Sequence, residues 1–270
     1  MNFNQRLLEV CRQKKSLVCI GLDIDLNKVP EFILHKAEPL EYFGKAIIDA
    51  TIEFAAAYKL NTAFFEAYGV FGWKAMTNLV SYLPNNVIKI ADGKRGDIGN
   101  TSSMYARAFF EDLSFDAMTV NPYLGYDGIE PFIKNKEKGI FVLCHTTNKG
   151  AEDFQKFSDG NKKLFERVAE KVNQWNQNQN CGLVVGATYP AELQHIRTLA
   201  PDLPFLVPGL GAQGGDFDLA IQYATNELGE GAIFNFSRSI IYSSGNEDFA
   251  KKAGEQAKKM QEEINLRRQK

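Results

Sequence analysis

The chain has 270 residues, 44% hydrophobic and 24% charged, close to the average of globular domains. Its 31 basic and 33 acidic residues leave a formal charge of -2, which gives no general attraction to nucleic acid or to an anionic membrane surface; an anion must be held by a local site. No apolar run approaches the ~18 residues that span a bilayer, and "MNFNQRLLEVCRQKK" at the start is amphipathic without the apolar core of a secretion signal, so a cytoplasmic protein is expected.

That opening stretch predicts a helix ahead of the first strand. Short apolar runs then alternate with longer segments of helical period. The predicted strands are 17–23, 56–61, 87–92, 116–121, 140–145, 182–187, 204–209 and 232–237. Their near-continuous apolarity fits strands buried on both faces, as in a parallel sheet. Helical patterns fall at 39–56, at 100–113 with Asn100 or Thr101 as N-cap, at 162–177, and at 246–270. The polar run "VNQWNQNQNC" reads as a helix end and loop. Eight such units and one preceding helix spell a single (β/α)8 barrel domain over 1–270, with no Pro/Ser-rich linker. Cys11, Cys19, Cys144 and Cys181 form no CxxC pair and read as reduced core residues.

A barrel places functional residues where strands end, because the βα loops build one face. Polar residues do gather there: Asp23 and Asp25, Lys59 and Asn61, Asp92 to Asp97, Asn121, and His145 to Thr147. Barrels often hold phosphate with the loops after strands seven and eight. Here these are "PGLGAQGGD" (208–216) and "NFSRSI" (235–240). The glycines let backbone N–H groups approach an anion, Gln213 offers an amide, and Arg238 a charged fork. "GLGAQG" also matches a dinucleotide fingerprint, but only one further strand follows it, too few for a Rossmann sheet.

The densest charge lies in "KIADGKRGDIGNT", 89–101. Residues two apart on a strand share a face, so Asp92 and Lys94 should point together into the mouth, with Lys59 on the preceding strand alongside. Alternating carboxylates and ammoniums keep each buried charge paired.

These motifs resemble the orotidine 5'-phosphate decarboxylase family, in its longer bacterial (type 2) branch. The family pattern Asp-x-Lys-x-x-Asp-Ile-x-x-Thr is met by Asp92, Lys94, Asp97, Ile98 and Thr101. "GLD" ending at Asp23, Lys59, "PGLGAQGG" and "SRS" stand at the matching strands, and the likeness runs from Gly21 to about Tyr242. The resemblance implies conversion of orotidine 5'-phosphate to UMP and carbon dioxide in de novo pyrimidine synthesis, with no cofactor. It implies Lys94 as proton donor and Asp92 as the carboxylate beside the substrate's own. Asp97, with Ile98 and Thr101, would complete the site of the other subunit in a homodimer. Lys59 and Asp23 would hold ribose hydroxyls and order the charges, Gln213 and Arg238 the phosphate, and Thr147 and Pro208 the base. Lys149 stands where a proline is common. Two other readings are weighed: a metal-dependent sugar-phosphate enzyme using Asp23, Asp25 and Asp92, and a non-catalytic binder of a phosphate ligand.

Overall fold

Eight parallel strands close on themselves in chain order, each hydrogen-bonded to the next and the last to the first. The structure, a computed structural model, describes residues 1–210 and 217–268. The strands are β1 (Val18–Gly21), β2 (Ala57–Asn61), β3 (Ile88–Arg95), β4 (Ala117–Val120), β5 (Gly139–His145), β6 (Cys181–Val185), β7 (Phe205–Pro208) and β8 (Ala232–Phe236). Every predicted strand is present, and the architecture is the expected (β/α)8 barrel. β1, β4 and β6 are buried along their whole length, as continuous apolar runs require.

The helices between them lay one apolar stripe on the sheet. In Leu164–Trp175 the buried residues Phe165, Ala169 and Val172 recur at helical spacing. The helix Gly99–Arg107 begins before the expected cap. Gly99, at φ +53°, turns the chain into the helix, so Asn100 and Thr101 fall within its first turn and Ile98 occupies the cap position. All four cysteines are buried and unpaired.

The predicted N-terminal helix, Phe3–Lys14, closes the floor of the barrel. Asn2 Oδ1 accepts from the Gln5 amide at 2.9 Å, and the Phe3 amide donates to the Lys136 carbonyl at 2.8 Å. The Phe3 ring fills the space above Gly139 and meets Phe141 edge-on at 6.0 Å. A Cβ at Gly139 would lie 2.1 Å from that ring. Gly139→Ala should therefore destabilise by roughly 1–3 kcal/mol in chemical unfolding, the usual cost of overpacking. Combining it with Phe3→Ala should cost less than the two single changes summed; strict additivity would mean the ring does not enforce the glycine.

One irregularity bears on the site. β3 pairs with β4 at Ile90–Ala117 and Ala91–Met118, and then only at Arg95–Val120. Asp92, Gly93 and Lys94 thus stand opposite Thr119 alone. This bulge carries β3 to Arg95, three residues past its expected end.

Candidate active site

At the C-terminal ends of β1, β2 and β3 four charges form an alternating row. Lys59, 5% exposed, places its Nζ 2.8 Å from Asp92 Oδ2 and 3.7 Å from Asp23 Oδ1. Lys94 places its Nζ 2.6 Å from Asp92 Oδ1. The β-ladder sets this spacing, since Asn61 of β2 is level with Asp92 of β3. Lys94 reaches the row by an unusual route. Its φ is +46°, a left-handed conformation that non-glycine residues rarely adopt and that gathers at functional sites.

Burial alone would raise the Asp92 carboxyl, but Lys59 and Lys94 outweigh it and hold the carboxyl far below its ordinary range. Burial would likewise lower the Lys59 ammonium, yet Asp92 and Asp23 push it above its usual value. Both groups stay charged at neutral pH. The stability drawn from Asp92 is present above the ordinary carboxylate range and is lost only as pH falls toward its depressed folded value. That from Lys59 is lost only as pH rises through its elevated one.

Further donors tie the row to the barrel. The Ser237 hydroxyl donates to Asp23 Oδ2 at 2.7 Å, with the Gly21 carbonyl 3.0 Å away. Asp23 Oδ1 is buried with no hydrogen-bond partner among the described residues, its nearest cation being the Lys59 ammonium. The row lines a cleft of about 520 Å³, within the range of small-ligand sites.

Of the residues expected in the site, Asp23, Lys59, Asp92, Lys94, Thr147, Pro208 and Arg238 line this cleft. Arg238 follows β8, is exposed, and has no carboxylate partner among the described residues. Its strand β8 is separated from β3 around the ring by β1 and β2. Gln213 lies outside the described residues. Asp97, Ile98 and Thr101 do not line the cleft. Asp97 Oδ1 accepts from the Ile98 amide at 2.8 Å, and Ile98 is 59% exposed. Asp25 also turns away: it accepts from the Asn27 amide at 3.0 Å and pairs with Lys28 at 3.2 Å. The described residues hold no group of three or more side chains suited to a metal ion. His145, at the end of β5, is fully buried between Phe165 and Tyr189, and burial lowers its imidazolium below the ordinary range.

Several cleft residues were not singled out from the sequence. Thr119 Oγ1 donates to Asp92 Oδ1 and accepts from the Lys94 amide, each at 2.9 Å. Gln155 grips Thr146 twice, accepting from its amide and donating to its hydroxyl at 2.8 Å. Ser237 belongs to the quoted "SRS" and Asn235 to the same strand end; a polar residue near an apolar strand's end was the signal available for each.

Fold and site together define a (β/α)8-barrel protein with a paired-charge cleft at its C-terminal mouth and a further cation, Arg238, on the same cleft wall after β8. The model of the orotidine 5'-phosphate decarboxylase / HUMPS family matches residues 16–253, and the chain belongs to that family. It is 48% identical over 263 residues to an orotidine 5'-phosphate decarboxylase of Flavobacterium johnsoniae, covering 96% of each chain. Among solved structures it superposes on the orotidine monophosphate decarboxylase of Leishmania donovani with a TM-score of 0.87 at 38% identity, covering 100% of both chains. It superposes on the UMP synthase of the same organism with a TM-score of 0.89 at 39% identity; it covers 99% of its own length and 57% of that protein.

Proposed function

We propose that the chain decarboxylates orotidine 5'-phosphate to UMP and carbon dioxide, a step of pyrimidine synthesis, without a cofactor. The observation that carries this reading is the Asp23–Lys59–Asp92–Lys94 row in the cleft of a family member. Breaking the bond from ring carbon to carboxylate leaves an electron pair on a carbon with no conjugated sink. The Lys94 ammonium stabilises that charge and then transfers its proton to the same carbon. Solvent restores the lysine's proton.

Asp92 would stand beside the substrate carboxylate. Two charges ~4 Å apart at an effective dielectric of ~20 repel by about 4 kcal/mol, at most roughly three decades in rate. Asp92 already accepts from Lys59, Lys94 and Thr119, which weakens that repulsion. Stabilisation by Lys94 is therefore the larger effect. Asp23 on the cleft wall suits a ribose hydroxyl, Thr147 and Pro208 the base, and Arg238 the phosphate, with Gln213 as the second phosphate ligand.

Asp97, Ile98 and Thr101 serve a partner's cleft in a homodimer. Their place outside their own cleft supports this, as do the exposed apolar residues Ile98, Met104, Tyr123 and Leu124 around them.

The test follows loss of orotidine 5'-phosphate absorbance and release of carbon dioxide, with and without EDTA. Turnover indifferent to EDTA is expected. UMP binding without carbon dioxide release would leave a binding protein, and EDTA sensitivity would shift the reading to metal-dependent chemistry. Arg238→Ala should lower kcat as well as raise KM, with kcat/KM down roughly 100-fold, because phosphate binding energy is used at the reacting carbon. A rise in KM alone would confine the arginine to uniform binding.

A further inference from the structure

Where β3 has three residues, β4 has one, and Thr119 fills that step. It is 1% exposed, and its single hydroxyl meets both members of the central charge pair. It accepts from the Lys94 backbone amide and donates to the Asp92 oxygen that also takes the Lys94 ammonium. At the same peptide group, Arg95 donates to the Gly93 carbonyl at 3.0 Å, and it pairs with Glu66. Its guanidinium lies over the rings of Tyr105 and Phe109 at 5.5 and 5.6 Å. A left-handed lysine persists only when its surroundings hold it, and these two contacts grip both polar ends of the peptide group that joins Gly93 to Lys94.

We propose that Thr119 is the positioning residue for the Lys94 ammonium; this rests on the role given to Lys94 above. The hydroxyl fixes the strained backbone from which the lysine springs and, through Asp92 Oδ1, fixes the point at which its ammonium rests. Valine has the same shape without the hydroxyl. In Thr119→Val the Lys94 amide loses its acceptor, the bulge relaxes, and the ammonium moves off the reacting carbon. Nucleotide binding, carried by Asp23, Arg238 and the β5 loop, is untouched.

The experiment compares wild type, Thr119→Val, Thr119→Ser and Lys94→Ala, with kcat expressed per UMP-binding site counted by calorimetry. Thr119→Val should lose roughly 30-fold in kcat, the scale of an ångström misplacement. KM and UMP affinity should stay within about 3-fold of wild type, and serine should restore kcat to a similar margin. A valine variant with wild-type kcat, a loss of UMP binding matching the loss of kcat, or a serine variant as impaired as valine would each overturn the proposal; the second and third would mark a packing role. If Lys94→Ala keeps full activity, the reading of the site itself fails. If Lys94→Ala is inactive while Thr119→Val is normal, only this inference fails.

Discussion

Lys94→Ala should lower kcat by about five orders of magnitude while leaving UMP binding within roughly tenfold of wild type. The estimate combines loss of a general acid, about 10²–10⁴, with loss of the charge nearest the developing carbanion, about 10²–10³. The structure argues against the smaller end. Lys94 touches Asp92 directly, so its removal also strips the aspartate of one of its two cationic partners. A substrate bearing a carboxylate then meets a less compensated negative charge, whereas UMP has none there. Full-progress absorbance traces at high enzyme concentration, with UMP titrations alongside, measure both quantities. A kcat within tenfold of wild type would remove Lys94 as the acid.

Mixing inactive Lys94→Ala and Asp97→Ala subunits should restore activity to roughly a quarter of wild type. In a two-fold symmetric dimer with shared sites, random exchange makes about half the dimers mixed, and each mixed dimer gathers both lesions in one cleft and leaves the other native. The geometry motivates this result. Asp97 stands only three residues from Lys94 in sequence yet is absent from its own chain's cleft, held by the Ile98 amide among exposed apolar residues. A carboxylate acting within its own subunit would give no recovery on mixing. The outcome is read from the specific activity of the mixture after subunit exchange, against each variant incubated alone.

The barrel was legible because a buried parallel strand must be apolar on both faces, and eight such runs cannot hide between amphipathic helices. The cluster was legible for a related reason: charge at the end of an apolar strand has few places to go. Asp92 and Lys94 do both reach the cleft, as the two-residue alternation suggested. They arrive there through a bulge and a left-handed lysine, which alternation does not describe. Thr119 gave no signal, since a threonine in a strand is ordinary β-propensity. Gln155 was invisible because its grip on Thr146 depends on how a long loop folds back. The Asn100 and Thr101 cap reading missed because a single glycine with positive φ can start a helix as well as a polar side chain can stop it fraying.

The cylinder is sealed by one seam, where Val18, Cys19 and Ile20 pair with Phe234, Asn235 and Phe236. During synthesis the first strand therefore waits, its outer amides and carbonyls unmatched, until more than two hundred residues have followed. Such an intermediate is a sticky ribbon, and the long wait makes late assembly slow and prone to self-association at high concentration. Because Ser237, just beyond that seam, holds Asp23, the final stitch of the fold is also what sets the first charge of the row in place.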